Sequence, residues 1–209
     1  MEVRELVMAD DSAAATGVLA GSTEGQRVLG RLISSVADLE RGVVVLNFYG
    51  IHVATGSFLR EAVIGLRDFC VSRRVPTCVV LSDVGEQVLD ELGFLAESLD
   101  EVFVVCSLGI AGAPACLLVG NLDEKQRLAF EALGARKQAS AAELSQAVQE
   151  VPHIGSTAWN NRLSALQSKG LVLQVSDGRN KQYTSIVEVL NGYRLHSREG
   201  AALSKKLGQ

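Results

Sequence analysis

Residues 156–186 carry the pattern that most narrowly constrains the fold of this 209-residue chain. The first half of the segment has an apolar stripe at helical spacing, formed by Trp159, Leu163 and Leu166. Ser156 and Thr157 stand where an N-cap is expected, and Gly170 is expected to end the helix. Alternating apolar residues then predict two strands around the turn Ser-Asp-Gly-Arg-Asn-Lys. The segment is therefore predicted to be a helix followed by a β-hairpin.

Short polar side chains occupy the other face of this predicted helix, and the hairpin turn carries positive charge. The outward residues are Thr157, Asn160, Asn161, Ser164 and Gln167, and the turn supplies Arg179, Asn180 and Lys181. Amides and hydroxyls can bond base edges or phosphate oxygens, whereas Arg and Lys neutralise phosphate charge. These eight residues form a predicted DNA-contact surface. The alternative is that these residues contact only solvent, on a surface helix beside a surface hairpin.

This segment resembles winged-helix transcriptional regulators in the pattern Ala158-Trp159-Asn160-Asn161-Arg162-Leu163, Leu166 and Lys169-Gly170-Leu171. The resemblance covers about residues 122–186. It implies a domain that binds double-stranded DNA, in many members of the class as a dimer with two half-sites.

Two further helices are predicted ahead of this segment. The first covers residues 121–133, with Asn121 as its cap and Gly134 as its end. The second covers residues 141–148, because Ser140 and Glu143 have the spacing of a capping box.

Residues 1–120 contain apolar runs of strand length separated by amphipathic helices. Residues 3–8 alternate apolar and charged side chains and predict an edge strand, whereas the continuous apolar run at 42–48 predicts a strand that is covered on both faces. Further strands are predicted at 77–81, 102–106 and 115–120. Helices are predicted at 23–36 and 56–69, and a third follows Asp83, its expected cap. Alternation at this spacing predicts an α/β fold, with helices packed against a mixed or parallel sheet.

Residues 43–66, VVVLNFYGIHVATGSFLREAVIGL, resemble the central strand, loop and following helix of STAS-like domains. These are small α/β modules related to anti-sigma-factor antagonists, and the resemblance extends over about residues 2–120. It implies docking to a protein partner. In the antagonists a Ser or Thr at the start of this helix accepts phosphate from a kinase, and the matching position is Ser57. The sequence departs from the antagonist pattern at Thr55, Gly56 and Phe58, so the alternative is that Ser57 only caps the helix.

The charge distribution divides the chain in two. Residues 1–122 carry 8 Lys and Arg against 16 Asp and Glu, and residues 123–209 carry 12 against 8, which gives formal charges of −8 and +4 and the total of −4. A basic C-terminal part suits a polyanionic partner. The predicted organisation is a STAS-like domain at 1–120, a winged helix-turn-helix domain at 121–195 and a flexible basic tail at 196–209.

Other function classes find little support in the sequence. The four cysteines form no Cys-x-x-Cys pair, so a reduced core is predicted rather than disulfides or zinc. Neither a P-loop nor a dinucleotide-binding turn occurs, and no catalytic constellation can be derived, so no enzyme activity, metal or cofactor is expected. No apolar run reaches the roughly 20 residues of a membrane span, and the expected location is the cytoplasm without membrane contact.

The sequence therefore predicts a cytoplasmic bacterial regulator that binds duplex DNA through its C-terminal part. Its N-terminal part is expected to dock a protein partner or to form a homodimer surface, and the sequence does not choose between these. The alternative from another function class is a protein-interaction adaptor that uses the winged helix only as a scaffold.

Overall fold

The structure, a computed structural model, describes residues 2–9, 15–73, 77–107, 115–148, 154–177 and 180–190. The N-terminal elements are β1 (Glu2–Val7), β2 (Val18–Leu19), α1 (Ser22–Val36), β3 (Gly42–Asn47), β4 (Val53–Ala54), α2 (56–72), β5 (Thr77–Ser82), α3 (Glu86–Leu99), β6 (Val102–Ser107) and β7 (Ala115–Gly120). The π-helical segment Arg60–Ile64 interrupts the α-helical geometry of α2. The C-terminal elements are α4 (Glu124–Arg136), β8 (Gln138–Ala139), α5 (Ala141–Ala147), α6 (Ser156–Ser168), β9 (Val172–Asp177) and β10 (Asn180–Ser185).

A five-stranded mixed sheet in the order β1-β3-β5-β6-β7 organises the N-terminal elements. Its neighbours are parallel except β6 and β7, which are antiparallel. The short strands β2 and β4 form a separate parallel pair, and β8, β10 and β9 form an antiparallel sheet. The prediction of an α/β fold with a mixed sheet is confirmed, as is the edge position of the first strand.

Each face of the large sheet is covered by a different set of elements. Val44 and Leu46 point into a hydrophobic cluster with α1, α2 and α3. Val43 and Val45 point the other way, into a second cluster built with α4, α5, α6, β9 and β10. The continuous apolar run of β3 is thus covered on both faces, as predicted. The predicted division at residue 120 falls between β7 and α4, and the second cluster contains residues from both sides of it.

Polar contacts join the C-terminal elements to the sheet at the same junction. The buried thiol of Cys78 on β5 lies 3.8 Å from the backbone oxygen of Val172 on β9, in donor geometry. Lys169, just after α6, donates from Nζ to the backbone oxygen of Asp100 at 2.9 Å. These contacts and the shared cluster hold α6 and β9 in a defined orientation on the sheet.

The helices α6 and α4 begin at different residues from those predicted. Gly155, rather than Ser156 or Thr157, is the N-cap of α6, and it forms no side-chain hydrogen bond. Asp123, rather than Asn121, caps α4, and its side chain accepts a backbone hydrogen bond. In each case the cap is the residue that keeps extended dihedral angles just before the first helical residue, which residue type alone does not reveal.

Two other helix boundaries also differ from the predictions. Gly85 precedes α3, whereas the expected cap Asp83 adopts a left-handed φ of 54°. The helix α4 continues past Gly134, and Lys137 takes the positive φ of 64° after its end. Gly170, with φ of 73°, follows the end of α6 as predicted.

The prediction of four reduced cysteines is wrong for one pair. Cys106 on β6 and Cys116 on β7 form a disulfide, with their Cα atoms 4.3 Å apart. They face each other across the antiparallel pair, where opposite side chains come closest. Cys70 and Cys78 are free and buried, and burial raises the pKa of the Cys70 thiol to about 11 and that of Cys78 further.

Every helix within the described ranges is too short or too polar to span a bilayer. The same residues contain no cluster of three or more His, Cys, Asp or Glu side chains arranged to hold a metal ion.

Candidate nucleic-acid interface

The two faces of α6 differ as the sequence predicted. Trp159, Leu163 and Leu166 are fully buried in the second hydrophobic cluster. On the rest of the helix the predicted contact residues divide into exposed side chains, which are Thr157, Asn161 and Ser164, and half-buried ones, which are Asn160 and Gln167. The helix therefore presents a polar outer surface on an apolar base.

Trp159 anchors the inner face of α6. Its side chain is 0% exposed, and the Arg162 guanidinium lies 5.0 Å from the centroid of its ring. Its buried indole N–H has no hydrogen-bond partner among the described residues. Trp159 thus belongs to the core, and its ring is not available for contact with a ligand.

Asn160 has a partner that the sequence did not indicate. Tyr183 on β10 is fully buried, and its hydroxyl donates to Asn160 Oδ1 at 3.0 Å. This bond fixes the Asn160 amide between α6 and the β9–β10 hairpin and leaves its NH₂ group as a donor toward other partners.

Replacement of Asn160 by Ala is expected to destabilise the fold by about 1–3 kcal/mol, because the buried Tyr183 hydroxyl would lose its acceptor. Asn161→Ala is the matched control, since Asn161 is exposed and its loss is expected to change stability by at most about 0.5 kcal/mol. Urea unfolding of the two variants measures the difference. Equal stability of both variants would show that Tyr183 finds another partner.

A cleft of about 530 Å³ lies where the starts of α5 and α6 meet β10. It is lined by Ser140, Ala141, Ala142, Glu143, Ser156, Thr157, Asn160, Lys181 and Gln182. Three of the eight predicted DNA-contact residues, Thr157, Asn160 and Lys181, therefore meet in one cleft. Asn161, Ser164 and Gln167 lie elsewhere on α6. Asn180 is the first residue of β10, and Arg179 lies outside the described residues.

The cleft contains one carboxylate and one amine. Glu143 accepts from the Ser140 backbone N–H at 2.6 Å and from its hydroxyl at 2.7 Å. The Glu143 N–H donates to Ser140 Oγ at 3.2 Å, so the predicted capping box of α5 is present. Gln182 also donates to this carboxylate, at 3.4 Å. These hydrogen bonds, led by the backbone N–H of Ser140, lower the pKa of Glu143, so the side chain stays ionised. Lys181 also lines the cleft and is exposed.

The start of α6 adds donors to this cleft. Gly155 supplies no side-chain cap, and the Ala158 N–H donates to the Gly155 backbone oxygen at 3.1 Å. The N–H groups of Ser156 and Thr157 have no partner among the described residues, and the helix dipole favours negative charge there. Ser140, Ser156 and Gln182 also line the cleft, and their sequence positions did not predict this. Only the capping box at Ser140 gave a signal in the sequence, and it indicated a helix boundary rather than a site.

The predicted phosphorylation site, Ser57, is exposed at the second position of α2. Thr55, and not Ser57, is the N-cap: its Oγ1 accepts from the Phe58 N–H at 3.4 Å and from the Gly21 N–H at 3.1 Å. The Thr55 and Ser57 hydroxyls are 3.1 Å apart. The alternative in which Ser57 caps the helix is therefore wrong.

Thr55→Ala is expected to cost about 1 kcal/mol of stability, because two backbone N–H groups lose their acceptor. Ser57→Ala should stay within about 0.5 kcal/mol of the original protein, since the Ser57 side chain is exposed and does not cap the helix. Thermal unfolding of both variants tests this difference. A larger loss for Ser57→Ala than for Thr55→Ala would contradict the assignment of the cap.

Comparison of the chain with protein-family models, curated proteins and solved structures gives no match. The resemblances to winged-helix regulators and STAS-like domains thus rest on sequence motifs. Any assignment of function depends on the outer face of α6, the β9–β10 hairpin and the cleft beside them.

Proposed function

We propose that this protein is a DNA-binding regulator that contacts duplex DNA through α6 and the β9–β10 hairpin. The observation that carries the proposal is the meeting of Thr157, Asn160 and Lys181 in one cleft at the start of α6. The element order α4-β8-α5-α6-β9-β10 supports a winged helix-turn-helix, in which the third helix enters the major groove.

The side chains on this surface suit different parts of a duplex. Thr157, Asn161 and Ser164 are exposed along one helix, and their amide and hydroxyl groups suit base edges. Lys181 and the open N–H groups at the start of α6 suit phosphate oxygens, which position the protein without reading sequence. The bond from Tyr183 orients Asn160 before any ligand arrives, which reduces the entropy lost on binding.

The five-stranded unit is proposed to regulate this contact by docking a protein partner. Its shared hydrophobic cluster with α6 supports such coupling, because a partner that shifted the sheet would also bias the orientation of the helix. Phosphorylation of exposed Ser57 stays a prediction, and intact-mass measurement of protein from its native host tests it. An unmodified mass under all growth conditions would leave Ser57 without this role.

One observation favours the alternative function, a protein-interaction adaptor. The ionised Glu143 carboxylate lines the same cleft as Lys181, and a carboxylate repels phosphate. The two functions therefore differ in the effect expected when either charge is removed.

Lys181→Ala is expected to weaken binding to all duplexes about equally and to reduce the slope of log K against log salt by about 0.9, because one phosphate contact is lost. Glu143→Gln should strengthen binding, since Gln keeps the capping box while the negative charge is removed. Arg60→Ala is the control, because Arg60 is exposed on α2, a helix packed on the opposite face of the sheet. Fluorescence anisotropy with a labelled duplex over a range of salt concentrations measures all three.

Opposite effects of Lys181→Ala and Glu143→Gln, with Arg60→Ala unchanged, support DNA binding through the cleft. An adaptor predicts that the original protein ignores duplex DNA even at low salt. Binding that all three variants leave unchanged would place the DNA contact away from this cleft.

A further inference from the structure

The two edge strands of the five-stranded sheet differ in how well they are protected against pairing with a further strand. The edge strand β1 contains Glu2, Arg4 and Glu5, and Arg4 forms ion pairs with Glu2 and Asp38. Charged side chains on an edge strand discourage the addition of another strand. The opposite edge strand, β7, has the sequence ACLLVG and contains neither a charged residue nor a proline. Charged side chains therefore oppose strand pairing at the β1 edge, and the β7 edge has no such side chain.

The backbone groups that face outward from β7 can be assigned from its pairing with β6. The Cα atoms of Cys106 and Cys116 are 4.3 Å apart, which is typical of a non-hydrogen-bonded antiparallel pair. Because the two kinds of pair alternate, Leu117 and Val119 exchange hydrogen bonds with β6. The N–H and C=O groups of Cys116 and Leu118 then point away from β6. No strand among the described residues pairs with them.

Exposed leucines lie on β7 and on α3, the helix that contacts it. Leu117 is 51% exposed and lies on the same sheet face as Val119, which packs in the cluster with α3. Leu99, at the end of α3, is 41% exposed, and α3 is in contact with β7. Burial of such leucines together with unpaired backbone groups is what strand addition achieves.

We propose that β7 pairs antiparallel with β7 of a second copy of this chain, which would extend the two sheets into one of ten strands. Outward-facing residues must meet outward-facing residues. A two-fold axis through Leu118 pairs all three outward-facing residues of β7, at 116, 118 and 120, within the strand, whereas an axis at Leu117 pairs only two of them. Leu118 then faces Leu118 of the second copy, and Leu117 lies beside its Val119. A second copy is the occupant because the uncharged segment is self-complementary in this register and brings no like charges together.

This interface is independent of the proposed DNA binding, because its test measures association alone. Sedimentation equilibrium of the full chain should show a dimer, and Leu117→Lys should raise the dimer dissociation constant by about tenfold or more, since two buried lysines would lie near the axis. Val71→Lys is the matched control, because Val71 is 50% exposed on α2, away from β7, and should leave the dimer intact.

Residue-resolved amide exchange tests whether this edge of β7 is paired in the dimer. In the dimer the N–H groups of Cys116 and Leu118 should be protected. Leu117→Lys should release both, while the N–H groups at positions 117 and 119 stay protected by β6. A chain that sediments as a monomer at all concentrations overturns the proposal, even if its own terminal segment protects these amides. A dimer that Leu117→Lys does not weaken overturns it as well.

Discussion

Trp159→Ala is expected to lower the free energy of unfolding by about 3–5 kcal/mol, the range for loss of a large buried aromatic side chain. The indole is 0% exposed and belongs to the cluster that joins α6 to the β3 and β5 strands. The cavity would therefore loosen the attachment of the C-terminal elements as well as α6 itself. Urea unfolding followed by circular dichroism measures the loss.

Trp159→Phe is the control for this prediction. It keeps most of the apolar surface and removes an indole N–H that has no partner among the described residues, so it should cost much less than Ala. If Trp159→Ala kept the stability of the fold and abolished DNA binding, the buried position of Trp159 would be wrong and its ring would be a contact residue.

Arg67→Ala is expected to cost about 3–5 kcal/mol, because it breaks a largely buried ion pair. The Arg67 side chain is 9% exposed, its Nη2 lies 2.6 Å from Glu101 Oε1, and its guanidinium carbon lies 5.9 Å from the centroid of Phe103. Removal of Arg67 would leave the Glu101 carboxylate, which is 26% exposed, without this partner, and would also remove the packing of the guanidinium on the Phe103 ring. Chemical denaturation of the variant measures the effect.

Two variants test the explanation for Arg67. Arg27→Ala removes an exposed ion pair with Glu24 and should cost at most about 1 kcal/mol. The double variant Arg67→Met with Glu101→Leu should recover much of the stability lost in Arg67→Ala, since it leaves no unpaired charge. A double variant as unstable as Arg67→Ala would show that packing of the Arg67 side chain, rather than its charge, is responsible.

The sequence predicted the strands of the large sheet, but it did not predict which elements pack against them. The continuous run of β3 indicated a strand with both faces covered, and the structure confirms it. The same run could not identify which elements cover each face, because hydrophobicity reports burial and not the partner. The packing of α6 and β9 against Val43 and Val45 therefore appeared only in three dimensions.

Local signals were ambiguous where several residues could satisfy the same backbone groups. Ser57 and Thr55 both have hydroxyls suited to capping α2, and the chain uses Thr55. The disulfide between Cys106 and Cys116 was missed for a different reason. Its sequence separation of 10 becomes meaningful only once β6 and β7 are known to be antiparallel and in this register.

The candidate site was predicted in part. Helical periodicity separated buried Trp159 from exposed Asn161, because both belong to one helix with a fixed repeat. The cleft could not be derived in this way, since Glu143 and Gln182 are 39 residues apart and meet only through folding. The hydrogen bond from Tyr183 to Asn160 joins residues 23 positions apart, and the sequence did not predict it for the same reason.

Selection of genomic fragments by the purified protein, followed by sequencing, tests whether α6 recognises a DNA sequence. The protein should enrich fragments that share a sequence, and the triple variant Thr157→Ala, Asn161→Ala and Ser164→Ala should lose that preference by about 1–3 kcal/mol per good base contact. The fold of the variant should persist, because all three side chains are exposed. Absence of any enrichment over a control without protein would contradict DNA recognition by α6.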